Sequence, residues 1–122
     1  MQTVNIRRGP RWCFCLVVLA CVWAVAADNG QTQRLNQDFQ AAVAQYDAGH
    51  LPEAAALLET LLREVPESFE VHELLGLVYS EQSQDTLANQ HLEKAVRVKP
   101  DSAAARTNLA TNLVRLGKLE DA

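Results

Sequence analysis

The sequence predicts an all-α chain, a stack of helix–turn–helix units behind an apolar head. Three observations predict it. Residue types recur at a spacing of 34 over most of the chain, and self-similarity at a fixed period of that length marks a solenoid. Within each period the apolar residues follow helical rather than strand spacing. Pro stands at matching places in successive periods, and Gly at places two periods apart, where helices stop.

The head comes first. The chain has 122 residues and a formal net charge of −4, enough for one modest domain. Arg7, Arg8 and Arg11 precede an unbroken apolar run from Trp12 to Ala27, 16 residues long. The run closes on Ala24, Val25, Ala26 and Ala27. A charged start, an apolar middle and a small-residue end make a secretory signal. Residues 1–27 are therefore expected to direct export, with cleavage before Ala27 or Asp28. The alternative is a membrane anchor over residues 12–27, although a helix spanning a bilayer core needs about 20 apolar residues. Cys13, Cys15 and Cys21 all lie in this run, so the rest of the chain has no thiol for catalysis or metal binding. Beyond the head, eight basic residues face 15 acidic ones. That balance disfavours nucleic acid, which demands clustered positive charge. Residues 28–34 read as a short polar linker.

The repeats follow, with unit one over residues 35–68, unit two over 69–102 and a partial unit three over 103–122. Pro66 and Pro100 are one period apart, as are Ala54 and Ala88, Leu58 and Leu92, Glu59 and Glu93, Ser68 and Ser102, and Leu75 and Leu109. Gly49 and Gly117 are two periods apart. In unit one, Leu35, Phe39, Ala42, Val43 and Tyr46 form one helical face. Gly49 ends that helix, because a glycine takes the left-handed closing conformation cheaply. Pro52 suits the first turn of the next helix, where its missing N–H costs nothing. Leu57, Leu58, Leu61, Leu62 and Val65 supply the second face, and Pro66 stops it. In unit two, Val71, Leu74, Leu75, Val78 and Tyr79 form the first face, and Leu87, Ala88, Leu92, Ala95 and Val96 the second. Ser83 or Asp85 is the expected cap of that second helix.

These residues bring the chain to a family. Leu75-Gly76-Leu77-Val78-Tyr79, followed by Ala88, Leu92, Ala95 and Pro100, resembles the tetratricopeptide repeat, a helix–turn–helix unit of 34 residues. Unit one resembles it through Gly49, Glu53-Ala54, Leu58 and Pro66. Unit three resembles it through Asn108-Leu109-Ala110 and Leu116-Gly117-Lys118-Leu119-Glu120-Asp121-Ala122. The expected packing is physical: Gly76 and Ala88 let two antiparallel helices cross closely, with Tyr79 and Leu92 filling the space beside them. Ala122 would be the first-turn alanine of a further helix, and Leu109, Leu113 and Leu116 would form an uncovered stripe. The chain therefore reads as a piece of a longer array, since about three repeats and a polar cap are usual for stability.

No catalytic constellation is legible. His50, His72 and His91 lack ligand spacing and read as surface or half-buried side chains. Ser80, Ser83 and Ser102 lack a nucleophile-elbow context. There is no glycine-rich phosphate loop. No cofactor or metal is expected. What remains is interaction with a protein or an extended peptide. The resemblance implies that first helices line a concave groove. In unit one its residues would be Asn36, Phe39, Val43, Tyr46 and Asp47. In unit two they would be Glu70, Glu73, Leu77, Ser80 and Glu81, and in unit three Thr107, Thr111, Val114 and Arg115. Phe39/Val43 and Glu73/Leu77 stand where a carboxylate clamp would need Lys and Asn. An acidic, partly apolar groove favours neutral or basic segments, while Phe39, Val43 and Leu77 could equally pack between repeats. Two functions stay open. One is a non-catalytic exported scaffold; the other is the leading segment of a larger exported enzyme or a secretion or assembly component.

Overall fold

A computed structural model describes the backbone of residues 12–117 and the side chains of residues 29–117. The export signal expected over residues 1–27, and the residues from Lys118 to Ala122, lie outside the residues whose side chains are described. The described residues form five helices and no strand: α1 (Trp12–Asp47), α2 (Leu51–Glu64), α3 (Phe69–Glu81), α4 (Asp85–Val98) and α5 (Ala103–Arg115). The chain divides into two units, Met1–Arg34 and Leu35–Ala122. Residues 28–34, expected as a linker, are helical within α1. The reason is local: no proline occurs between Trp12 and Asp47 to remove a helix hydrogen bond. Among the described residues no helix is long and apolar enough to cross a membrane.

In the second unit the helices follow the 34-residue plan. The first helix of each repeat ends on a left-handed residue: Gly49 at φ +79°, Ser83 at φ +60° and Gly117 at φ +74°. These three positions are one period apart. Around Gly49, its N–H reaches the Tyr46 carbonyl and the His50 N–H reaches the Gln45 carbonyl, both at 2.9 Å. The same pair recurs at Ser83 with Ser80 (3.1 Å) and at Gln84 with Tyr79 (2.8 Å). This is the Schellman closure that satisfies the last carbonyls of a helix. The expected cap role of Ser83 or Asp85 is thereby corrected. Ser83 closes α3, Asp85 opens α4, and Gln84 holds the cap position without a side-chain bond. Serine caps stand elsewhere. Ser68 Oγ accepts from the Val71 N–H at 3.4 Å, and Ser102 Oγ accepts from the Ala105 N–H at 3.3 Å. Both begin the first helix of a repeat.

Apolar burial holds the repeats together. Ala54, Leu58, Leu75, Ala88 and Ala95 are fully buried, and Leu92 is 1 % exposed. Tyr79 and Leu109 are half-buried, while Pro66 and Pro100 lie exposed in the turns after α2 and α4. Leu57 and Leu87, expected on inward faces, are exposed. The closest crossing is at Gly76: a Cβ there would sit 2.5 Å from Leu92 Cγ and Cδ2. Glycine at this position is thus a steric requirement for α3 to approach α4. The expected open stripe on α5 is also corrected. Leu113 is 7 % exposed, and Leu109 and Leu116 are half-buried, because α5 turns this face toward α4 and α3. The side of α5 carrying Ala103, Arg106, Thr107 and Ala110 lines an open cleft of about 330 Å³ instead.

Candidate functional site

The residues expected to line a groove are borne by α1, α3 and α5, the first helices of the three repeats. On α1, Asn36 and Asp47 are exposed. Phe39, Val43 and Tyr46 are half-buried and pack against the core formed by Ala42, Leu58, Leu75 and their neighbours. On α3, Leu77 packs against the same core while keeping part of its surface open. Glu70 is exposed and accepts a bond from the Ser68 hydroxyl at 3.1 Å. Glu73 is half-buried, and its carboxyl is pushed up from the ordinary range by burial first and by Glu70 second, with Lys99 opposing. Lys99 itself lies over the Phe69 ring, 5.2 Å from its centroid. On α5, Thr111 donates to the Thr107 carbonyl at 2.9 Å, the back-bonding expected of an exposed helical threonine. Val114 is 51 % exposed.

Two contacts tie these helices side by side in one register. The Tyr46 hydroxyl donates to Glu81 Oε1 at 2.5 Å, joining α1 to α3. Arg115 Nη1 donates to Ser80 Oγ at 2.7 Å, joining α5 to α3. Tyr46 and Ser80 are one period apart, and so are Glu81 and Arg115. The same interhelical rung is therefore built twice from different chemistry. Arg115 also pairs with Asp85 Oδ1 at 3.2 Å. The Glu81 bond, with burial and the Glu81 charge behind it, pushes the Tyr46 hydroxyl up to about 12. Tyr46, Glu81 and Arg115 were expected to meet a partner; in the structure they meet one another or a neighbouring helix. The apolar and acidic residues between the rungs keep open surface.

Sequence reasoning missed a polar cluster across α2, α3 and α4. His72 is 6 % exposed, and its Nδ1 lies 3.1 Å from His91 Nδ1. His72 Nε2 is 2.9 Å from the Pro66 carbonyl. His91 Nε2 is 3.6 Å from Glu59 Oε1, which also accepts from the Tyr79 hydroxyl at 3.0 Å. The two histidines are 19 residues apart, a spacing that no one-dimensional rule singles out. Among the described residues no three His, Cys, Asp or Glu side chains converge on a metal position.

Residues 39–88 match the tetratricopeptide repeat family model. In fold, the chain is similar to the type III secretion translocator chaperone SycD of Yersinia enterocolitica, seen in a crystal structure of its alternative dimer. The TM-score is 0.68 at 21 % identity, covering 71 % of this chain and 66 % of that chain. This chain thus spans slightly less than two thirds of its neighbour's length. Fold and sequence together define an all-α helical-repeat protein. Its middle segment, residues 39–88, is the part that resembles the tetratricopeptide repeat, and the 34-residue spacing continues on both sides of it.

Proposed function

We propose that this chain is an exported, non-catalytic scaffold that holds a protein segment along the first helices of its repeats. One observation carries the reading. Phe39, Val43 and Leu77 keep apolar surface open on α1 and α3, the helices that also carry Asp47, Glu70, Glu73 and Glu81. Apolar area supplies non-directional affinity, and the surrounding negative potential selects neutral or basic segments over acidic ones. The tetratricopeptide match and the likeness to a translocator chaperone support a protein partner rather than a small molecule.

Fluorescence anisotropy with labelled peptides tests this. A peptide alternating Leu with Lys should bind the full chain, and its Glu-substituted counterpart should not. Binding should weaken with added salt. Glu73→Lys together with Leu77→Ala should reduce affinity at least tenfold without changing the helical signal. Equal binding of both peptides would sink the groove reading. Export rests on the Arg-rich start and apolar run. Mass spectrometry of protein made in an export-competent host should find a start at Ala27 or Asp28, a loss of roughly 3 kDa. An intact Met1 in the membrane fraction would assign residues 12–27 as an anchor.

A further inference from the structure

We infer that His72 and His91 form a proton-responsive latch across α2, α3 and α4, one that accommodates a first added proton and opens on the second. The argument starts from an acceptor that cannot change. The Pro66 carbonyl only accepts, so His72 Nε2, 2.9 Å away, carries a proton. Neutral His72 then presents a lone pair at Nδ1. His91 Nδ1, 3.1 Å from that lone pair, must be the donor. Neutral His91 is left with a lone pair at Nε2, facing Glu59 Oε1 at 3.6 Å. Two acceptors oppose each other there. The second nitrogen of each ring is fixed by the bond the first one makes.

A proton added at His91 Nε2 removes that conflict, but it places a charge where burial disfavours one, and the burial outweighs the gain. The proton turns the opposed acceptors into a charge-assisted pair with Glu59, while His91 Nδ1 still donates to His72. The ring of Tyr79 stacks on His91 at 5.6 Å and does not obstruct the change. A second proton has only His72 Nδ1 to occupy. There it meets the His91 Nδ1–H head on, with no acceptor between them. The two cationic rings would lie 5.4 Å apart, centroid to centroid. The pair can escape only by separating, which breaks the His72–His91 link between α3 and α4.

The charged surroundings do not offset this. From α2 the pair faces Glu59, already engaged by Tyr79 of α3. From the turn after α2 comes Glu67, which Lys94 of α4 claims at 2.9 Å. Arg97 of α4 also acts on Glu67. Burial holds His91 below its ordinary value of 6.5, opposed by Glu59 and reinforced by His72. A base depressed in the folded chain binds protons more readily when unfolded. Stability is therefore full above pH 6.5 and declines as the pH falls below it.

Titration of both rings in the full chain tests the latch, followed by imidazole ¹⁵N shifts, with melting measured by circular dichroism at each pH. Interacting rings should titrate as a coupled pair, in two steps and not as two independent sites. The first proton should appear on His91 Nε2. The melting temperature should begin to fall below about pH 6.5 and fall more steeply through the second inflection. Glu59→Gln should move the first inflection to lower pH. His91→Gln should leave one inflection and remove the steep fall. Should that variant not fold, the wild-type titration still decides. Independent single-site curves for the two rings, or melting that is flat across both inflections, would overturn the latch.

Discussion

Gly76 is where the closeness of two helices can be weighed. A methyl group added there would stand 2.5 Å from Leu92 Cγ and Cδ2, about 1 Å inside ordinary carbon–carbon contact. Leu92 is 1 % exposed, and Cγ is its branch point, so the side chain cannot swing clear into solvent. Overpacking of this kind costs about 1–3 kcal/mol. Alanine in place of a helical glycine recovers up to about 1 kcal/mol of backbone entropy. Gly76→Ala should therefore destabilise by up to about 2 kcal/mol on these two terms.

The sign depends on Leu92, and that makes the reasoning testable. Leu92→Ala alone should cost about 2–5 kcal/mol through lost burial and a cavity. In that background nothing opposes a methyl at position 76, so Gly76→Ala should become stabilising by up to about 1 kcal/mol. Urea unfolding of the four proteins, followed by far-ultraviolet circular dichroism, measures the coupling. Repeat one shows that the same position takes a methyl where the helices permit it: Ala42, one period earlier, is fully buried beside the fully buried Leu58 in the core cluster. If Gly76→Ala raises stability with Leu92 present, α3 and α4 do not cross as closely as the structure has them.

Three further outcomes are expected. Ser83 holds the left-handed position at φ +60°, where an L-residue is strained by about 1–2 kcal/mol, so Ser83→Gly should raise the urea midpoint, and an unchanged or lowered midpoint would deny the strain. Asn112 is 1 % exposed and donates to the Asp85 carbonyl at 2.8 Å, but its Oδ1 is buried without a partner. Asn112→Val, the residue found one period earlier at Val78, should be neutral or stabilising by about 1 kcal/mol, and a large loss of stability would mean that the Asp85 bond dominates. Tyr46 and Tyr79 both have hydroxyls pushed up to about 12, Tyr46 chiefly by its bond to Glu81 and Tyr79 chiefly by burial. Their stabilising effect is complete below pH 10 and lost as the pH rises toward 12, which absorbance of tyrosinate alongside alkaline melting would show; ionisation of both near 10 would contradict the two bonds.

The period carried the fold because it records backbone requirements. Gly49 and Gly117 are legible as helix ends, since only glycine takes the left-handed turn without strain. Ser83 stands between them at the same position and was read as a cap, because serine's side chain favours caps. Its backbone is fixed by the repeat instead, and the closing bonds of Ser83 and Gln84 outweigh the local preference. Gly76 opposite Leu92 was legible for a related reason, as a missing side chain leaves a mark in the sequence. Leu109, Leu113 and Leu116 were read correctly as one face but given the wrong surroundings. Which neighbour covers a face depends on where α4 lies, and spacing within α5 holds no record of that.

The candidate site divides along the same line. Position on a first helix could be read from the repeat, so Phe39, Glu73 and Leu77 were placed on α1 and α3. What each side chain does there could not, because it depends on partners 20 or 35 residues away, as with Tyr79 on Glu59 and Tyr46 on Glu81. The rungs sharpen the point. Repeat one to repeat two uses Tyr46 and Glu81; repeat two to repeat three uses Ser80 and Arg115. A carboxylate and a guanidinium occupy equivalent places, so the chemistry reverses while the geometry stays. Such a rung constrains the pair, not either residue, and a single-position pattern leaves it invisible. Tyr46, Glu81 and Arg115 hold the first helices in register, and on the proposed function it is Phe39, Glu73 and Leu77 that would meet a partner. A segment that competes for Glu81 would have to break the Tyr46 bond first. Affinity gained there would come at the expense of the register that shapes the surface, and a partner that binds without deforming the array must read the residues between the rungs.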